Sequence, residues 1–204
     1  KTSAYCVLLL LSLVGNSLVI AIVYRERKMR TFTNCWITNM AASDLLFPLV
    51  AFPHKIIQIF TGDYVWLIHG AFGLAMCKLV MFFGDVSTAV SIQSMVFIAV
   101  ERFCAVKFPL HVGAIQTKMK FFIPTTWLVG LVLHSPYFYT AKLVSYGGKM
   151  FCISSFAPAF DEWKAQRFYF LLIFVLLYAI PLAVLVVLYT SIILQLKGSK
   201  LPVQ

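Results

Sequence analysis

The chain has 204 residues, of which 61% are hydrophobic and only 12% are charged. This composition excludes an ordinary soluble domain and indicates a membrane protein. A formal net charge of +10 in a soluble protein would suggest a nucleic acid partner, but the placement of the basic residues is better explained by membrane topology. We therefore expect the lipid bilayer, and no nucleic acid, among the partners.

Five apolar segments are predicted to cross the membrane as helices. A helix rises about 1.5 Å per residue, so about 20 apolar residues cross the hydrocarbon core. The predicted fold class is an all-α membrane protein, a single transmembrane helical bundle over residues 1–204, with spans at about 2–24, 31–53, 79–106, 121–141 and 168–196. The stretch between Lys55 and Lys78 is interrupted by glycines and Asp63, and is predicted to be an interfacial loop.

Basic residues concentrate in alternate connections between these spans. The first connection, the third connection and the tail hold Arg25, Arg27, Lys28, Arg30, Arg102, Lys107, Lys118, Lys120, Lys197 and Lys200. The positive-inside rule places these three segments in the cytoplasm. With five spans, the N-terminus is then predicted to be extracellular.

The cysteines agree with this orientation. Cys77 and Cys152 fall on the outer side, where disulfides persist, whereas Cys35 and Cys104 fall near the cytoplasmic side and Cys6 lies within the first span. Counting alone does not fix the pairing, because five cysteines are an odd number. The topology predicts one bridge, Cys77 to Cys152.

Asp44 lies about midway along the second span. An ionised carboxylate there costs roughly 2.5 to 3.5 kcal/mol, so the residue should face a polar cavity or carry a proton. It is either a structural hydrogen-bonding centre or a cation or proton site. On the third span, Ser87, Ser91 and Ser94 form one helical stripe, for which close helix packing is a sufficient explanation.

Asp85 is a second acid within the membrane. It follows Cys77 by eight residues, which places it about 12 Å along a helix from the outer end. Two explanations are equally open. The acid is paired with a polar group of a neighbouring helix or with Lys78, or it contacts a ligand.

Glu101 and Arg102 lie where the third span emerges into the cytoplasm. One interpretation is an interface anchor, because an exposed pair of this kind stabilises little. The other is a charge cluster whose partner changes between two states.

Several short motifs follow one another in a fixed order. They are "GNSLV" with Asn16, "NMAASDLL" with Asp44, Cys77 twenty-five positions before Arg102, "ERFCAVKFPL" with Pro109, Trp127, Cys152, and Pro181 eight residues before Tyr189. In this order and on these spans, the chain resembles a rhodopsin-like (class A) G-protein-coupled receptor from its first helix through its fifth.

The resemblance implies roles at the cytoplasmic side. Glu101 and Arg102 resemble the family's Asp/Glu-Arg-Tyr element, in which the arginine is held by the acid at rest and released to meet a G protein; Phe103 replaces the usual tyrosine. Leu110 matches an apolar contact with the G protein. Tyr189 resembles a tyrosine that steadies the active arrangement, and Pro181 is expected to bend the fifth helix.

The resemblance also implies a sodium pocket and an outer bridge. Asp44 and Ser91 match two members of the family's sodium pocket, with Asn16 as a nearby polar partner, so a sodium ion is the only cofactor expected. Cys77 and Cys152 match the bridge that pins the outer loop to the third helix.

Two features depart from the family pattern. The loop before Cys77 has Gly70 where the family usually has tryptophan, and Trp66 is a candidate substitute. The chain ends at Gln204, without the family's sixth and seventh spans, so five of seven expected spans are present. It is predicted to be a fragment of a signalling receptor or, alternatively, a truncated non-signalling form that associates with complete receptors.

A peptide ligand is favoured over an amine. The aspartate of amine receptors corresponds to Gly84 here, and the shift to Asp85 turns the side chain by about 100° on a helix. Gly147-Gly148 between alternating residues predicts a β-hairpin in the second extracellular loop, with Cys152 on its second strand. By resemblance to peptide receptors this hairpin would lie over an open vestibule. The candidate ligand pocket comprises Gly84, Asp85, Thr88, Lys142 and Lys149, and its two lysines could attract acidic groups or a peptide carboxy terminus, or be solvated.

Two other classes of protein, transporters and enzymes, explain the sequence less well than a receptor does. A transporter fragment would explain the intramembrane acids, but the spans show no internal repeat. An enzyme is not expected, because His54, His69, His111 and His134 are dispersed and no Gly-x-Ser-x-Gly element is present. The predicted protein is a multi-pass receptor of the plasma membrane that couples an extracellular ligand, most simply a neuropeptide, to a heterotrimeric G protein.

Overall fold

The computed structural model describes residues 2–61, 65–109, 113, 117 and 119–198. Its long helices are α1 (Thr2–Arg25), α2 (Phe32–Thr61), α3 (Gly70–Lys107), α4 (Met119–His134) and α5 (Glu162–Gly198). Short helical turns cover Arg27–Met29 and Tyr137–Thr140. A two-stranded sheet comprises β1 (Ala141–Tyr146) and β2 (Lys149–Ser154). The chain is therefore mostly helical, with one small sheet between α4 and α5.

Within these described ranges, three helices are long and apolar enough to cross a membrane: Cys6–Arg25, Gly70–Lys107 and Glu162–Gly198. Large apolar side chains point outward along α1 and α5, for example Leu11 at 65% exposure and Leu194 at 64%. Exposed apolar surface of this extent favours aggregation in water. It is suited to contact with lipid.

The predicted interfacial loop between Lys55 and Lys78 is wrong at both of its ends. α2 continues to Thr61 and α3 begins at Gly70, and residues 62–64 lie outside the described residues. The length of an apolar run marks the part of a helix within hydrocarbon, whereas the helix itself ends where its backbone bonds end. A single glycine within a helix costs only about 1 kcal/mol, and Gly73 lies inside α3 without ending it.

The later helices also differ from the predicted spans 121–141 and 168–196. α4 ends at His134, before Ser135-Pro136, because proline disfavours a helical conformation in the residue before it. α5 begins earlier than predicted, at Glu162. Asp161 caps it, since its carboxylate accepts a hydrogen bond of 3.0 Å from the backbone N–H of Lys164.

Pro181 follows a wider, π-helical turn at Val175–Ala179 within α5. A proline cannot donate a backbone hydrogen bond and its ring crowds the preceding turn. The wide turn accommodates that ring without ending the helix, and α5 continues to Gly198.

α3 is the centre of the packed structure. It contacts α2, α4, β1 and the second half of α5, while α1 packs against α2. The side chains of Val86, Ala89, Val90 and Ala99 on α3 are fully buried. Gly130 of α4 lies over this surface, where an added Cβ would approach the Val86 side chain to 3.5 Å, so the small residue lets the two helices pack closely.

β1 and β2 pair antiparallel, from Ala141 with Ser154 to Tyr146 with Lys149. Gly147 and Gly148 join them, with φ angles of 60° and 76°. Glycine adopts this left-handed conformation without steric cost, and two such residues in succession are typical of a tight type I′ connection. The structure therefore contains a small antiparallel sheet at the position where the glycine pair predicts one.

Candidate functional site

Glu101 and Arg102 form an ion pair at the end of α3. The Arg102 Nε lies 3.4 Å from the Glu101 Oε2, and the arginine side chain is 56% exposed whereas the glutamate side chain is 7% exposed. α3 ends a few residues later, at Lys107, before Pro109. The acid is thus within the packed helices while its basic partner reaches the surface.

A threonine of α2 completes this pair. The Thr33 hydroxyl donates to Glu101 Oε2 at 3.3 Å and accepts a hydrogen bond of 2.9 Å from Arg102 Nη2. A hydroxyl serves both roles because it carries one donor and two acceptor positions. The sequence does not distinguish Thr33, which is one of several threonines near the start of α2.

The other predicted coupling residues are not all brought together. Phe103 contacts Phe108 with ring centres 6.2 Å apart, and the Lys107 ammonium lies 5.7 Å from the centre of the Phe103 ring. Tyr189 of α5 is 47% exposed, and among the described residues no hydrogen bond joins it to Arg102, which is bonded to Thr33 and Glu101. Leu110 lies outside the described residues.

Asp44 and Ser91 join α2 to α3. The Ser91 hydroxyl donates to Asp44 Oδ1 at 2.6 Å, and it also lies 2.8 Å from the hydroxyl of Ser43. Ser87 donates to the Ser43 carbonyl at 2.7 Å. The serine stripe of α3 is therefore a hydrogen-bonded contact with α2 as well as a small-residue packing surface.

A cavity of about 430 Å³ opens beside this contact, lined by Ser12, Asn16, Asp44, Phe47, Pro48, Ser87, Thr88, Ser91, Ile92 and Met95. Asn16 faces it from α1 and donates to Ser12 at 3.2 Å rather than to Asp44. Hard cations prefer oxygen ligands, and a carboxylate with several hydroxyls lines this one space. The residues therefore fit a sodium ion, with Asp44 and Ser91 as the ligands that the sequence predicts.

Trp127 ties α4 to the other two helices. Its indole Nε1 donates to Asn39 Oδ1 at 2.9 Å, and Asn39 Nδ2 donates to the hydroxyl of Ser94 at 2.9 Å. Asn39 and Ser94 are buried, so each polar atom in this chain of bonds is satisfied inside the bundle. Asn39 stands in the motif "NMAASDLL", in which the resemblance assigns a role to Asp44 but not to Asn39.

At the other end of α3, Cys77 and Cys152 form a disulfide with Cα atoms 5.8 Å apart. The bridge joins β2 to α3. Trp66 packs into the same cluster as Cys77 and Ala141 and is 3% exposed, while its backbone N–H donates to the Met150 carbonyl at 2.7 Å. Trp66 thus covers the bridge. It precedes Gly70, the first residue of α3, where the family that the sequence resembles usually has tryptophan.

Asp85 accepts a hydrogen bond of 2.6 Å from the hydroxyl of Tyr137. The neighbouring polar group that pairs with Asp85 is therefore this tyrosine rather than Lys78, and the explanation by a ligand contact stays a prediction. Tyr137 follows Pro136 in a short helical turn. No periodic pattern in the sequence indicated that it would reach α3.

Of the remaining candidate ligand residues, Gly84 and Thr88 lie one turn apart on α3, whereas Lys142 and Lys149 lie on the sheet. Gly84 is buried, and an added Cβ would meet the Phe47 ring at 3.7 Å. Thr88 donates to the Gly84 carbonyl of its own helix at 3.2 Å. Lys142 is half-buried, donates to the Ala157 carbonyl and lies 5.2 Å from the centre of the Tyr139 ring. Lys149 is exposed at the turn end of β2.

Comparison with known proteins agrees with this geometry. Residues 15–203 match the family "7 transmembrane receptor (rhodopsin family)". The chain is 32% identical over 200 residues to the Substance-K receptor of Homo sapiens, covering 98% of the chain and 48% of that receptor. It is 32% identical over 197 residues to the Cholecystokinin receptor type A of Canis lupus familiaris, covering 94% and 44%.

A third relative is the Neuropeptide Y receptor type 1 of Xenopus laevis, 34% identical over 204 residues, which cover 95% of the chain and 53% of that receptor. The chain spans about half the length of these curated relatives. The matching family is one of membrane receptors and not of enzymes. The chain belongs to the rhodopsin family of 7 transmembrane receptors.

Proposed function

We propose that the full-length protein is a G-protein-coupled receptor of the plasma membrane that transduces the binding of an extracellular peptide to a heterotrimeric G protein. The observation that carries this proposal is the buried Glu101 holding a largely exposed Arg102 at the end of α3. An arginine held there by an acid and a threonine is available to a cytoplasmic partner once those bonds break.

The proposal includes a topology. The helices that contain residues 2–24, 31–53, 79–106, 121–141 and 168–196 serve as the first five spans, with the N-terminus extracellular. Positive charge supports this orientation, because Arg25, Arg27, Lys28 and Arg30 lie between α1 and α2, at the same side as Arg102. The disulfide and the sheet then lie outside the cell.

A peptide is proposed as the ligand on two grounds. The relatives include receptors named for substance K, cholecystokinin and neuropeptide Y. The position of the amine-binding aspartate is Gly84, and it packs against Phe47 of α2, so no carboxylate stands there. The β1–β2 sheet, held by Cys152, would form one wall of the peptide's vestibule.

Sodium is proposed to stabilise the resting arrangement of the receptor. Asp44 would supply the charge and Ser91 a neutral oxygen, and both already join α2 to α3. When bound, the cation would neutralise the intramembrane carboxylate, which is costly to leave unpaired.

The test is peptide-stimulated nucleotide exchange. The full-length receptor in cell membranes would be exposed to substance K, cholecystokinin and neuropeptide Y, followed by a wider set of secreted peptides, with purified heterotrimeric G proteins as reporters. Exchange that rises with one peptide supports the proposal. A surface-expressed receptor that activates G protein with a small amine or a lipid, and with none of the peptides, overturns the peptide assignment.

A further inference from the structure

Asp85 is a carboxylate within α3, eight residues beyond the disulfide at Cys77, or about 12 Å along the helix. The Tyr137 hydroxyl donates to its Oδ2 at 2.6 Å. Among the described side chains no lysine or arginine forms an ion pair with Asp85. A charge at this depth is costly without a cationic partner.

The partner of this carboxylate, Tyr137, belongs to a cluster of aromatic rings. Tyr137 and Tyr169 are 7% and 9% exposed, with ring centres 6.1 Å apart and nearly perpendicular planes. The ring of Phe156 packs against that of Tyr169, with centres 5.7 Å apart. The face of an aromatic ring attracts cations, most strongly where water is excluded.

The carboxylate has acceptor capacity beyond this one bond. An ionised carboxyl group offers about four acceptor positions, and within the described part of the chain Asp85 accepts one side-chain hydrogen bond, that from Tyr137. The planar guanidinium group matches a carboxylate with two parallel hydrogen bonds and also stacks on aromatic faces. An ammonium group has three donors around a compact charge and lacks this planar, two-pronged geometry.

We propose that Asp85 and the tyrosines around it bind a guanidinium group of the ligand, that of an arginine side chain. The inference rests on the proposed function, since the receptor's peptide supplies the arginine. The site is distinct from the amine position at Gly84, because Asp85 is directed to Tyr137 between α4 and β1 whereas Gly84 faces α2. Tyr137 orients the carboxylate, and the guanidinium occupies the oxygen positions that Tyr137 leaves open.

The experiment uses two small probes of nearly identical shape, n-butylguanidinium and neutral n-butylurea. The full-length receptor in lipid nanodiscs is titrated with each probe, and binding is followed by the rise in its melting temperature. The parent is compared with Asp85→Asn, which removes the charge, and with Asp85→Glu, which keeps it. Asp161→Asn is the matched control, because Asp161 is an exposed acid near the outer end of α5 and asparagine also caps helices.

We expect butylguanidinium to stabilise the parent and the Asp161→Asn variant equally, and to do so at lower concentrations than butylurea. The affinity of Asp85→Asn for butylguanidinium should fall about tenfold or more, because a charge-assisted pair is replaced by a neutral one. Asp85→Glu should retain a preference for the guanidinium over the urea.

Equal stabilisation of the parent by both probes overturns the inference, as does an Asp85→Asn variant that binds butylguanidinium as tightly as the parent. If Asp85→Asn does not fold, the two probes are compared in the parent and in Asp85→Glu. Stronger binding of butylguanidinium by both proteins supports the inference, and equal binding of the two probes overturns it. The assay does not measure G-protein coupling. A receptor that activates no G protein would therefore refute the proposed function while leaving this result interpretable on its own.

Discussion

Arg102 donates a hydrogen bond of 2.9 Å to the Thr33 hydroxyl, which ties the end of α3 to the start of α2. The same hydroxyl donates to Glu101, so the threonine is bonded to both members of the ion pair. Any rearrangement that frees the arginine must break its bond to Thr33 as well as its contact with the acid.

In the full-length receptor, Thr33→Val should raise ligand-independent signalling. The substitution keeps the shape of the side chain but removes one partner from Arg102 and one donor from Glu101. A loss of about 1 kcal/mol from the resting state corresponds to about a fivefold change in the ratio of the two states. Basal nucleotide exchange, normalised to surface expression, measures it.

Thr38→Val is the control, because the Thr38 hydroxyl donates to the Asn34 carbonyl of its own helix and touches neither charge. Basal exchange in Thr33→Val that equals that of Thr38→Val and of the parent would show that the threonine has no part in holding the pair.

Asp44→Asn should abolish the effect of sodium on agonist affinity. Asparagine has nearly the same shape and accepts a hydrogen bond from Ser91, but it lacks the charge that attracts a cation. Agonist binding would be compared in sodium chloride and in N-methylglucamine chloride at equal ionic strength, with Asp161→Asn as the control. An identical sodium effect in Asp44→Asn and in the parent would exclude Asp44 as the ligand.

Trp127→Phe should lower the thermal stability of the receptor without altering which ligands it binds. The substitution removes the donor to Asn39 and leaves a buried acceptor unpaired, which costs about 1–3 kcal/mol. Thermal unfolding of the purified receptor measures it. Trp163→Phe is the matched control, since Trp163 is 73% exposed, and equal melting temperatures for the two variants would contradict the role of the Trp127 bond.

Cys152→Ser should destabilise the outer end of the receptor and weaken peptide binding. The bridge closes a segment with a sequence separation of 75 residues, and bridges of this kind typically contribute about 2–4 kcal/mol. Cys6→Ser, at a free cysteine in α1, serves as the control. The measurement is saturation binding of the peptide identified in the exchange screen, and wild-type affinity in Cys152→Ser would count against a role for the bridge.

Some of the structure follows from local patterns in the sequence. The antiparallel sheet follows from the glycine pair Gly147-Gly148, because few other residues adopt their conformation. The pairing of Cys77 with Cys152 follows from topology, since the other cysteines fall elsewhere. The contact of Asp44 with Ser91 follows from the resemblance, which assigns both residues to one pocket.

Other features depend on contacts between residues far apart in sequence. Tyr137 reaches Asp85 across a separation of 52 residues and sits in a short turn without periodicity. Thr33 is distinguished from neighbouring threonines only by the position of α3. The ends of α2 and α3 were missed because hydropathy indicates where lipid begins, while backbone hydrogen bonding determines where a helix stops.

The most direct test of the whole account is nucleotide exchange by the Arg102→Ala variant of the full-length receptor. Arg167 is an exposed basic residue near the N-terminal end of α5, and Arg167→Ala controls for loss of a positive charge. The account predicts that Arg102→Ala retains ligand binding and surface expression but loses agonist-driven exchange, whereas Arg167→Ala retains exchange. Normal exchange by a well-expressed Arg102→Ala receptor would contradict the assignment of Arg102 as the coupling residue.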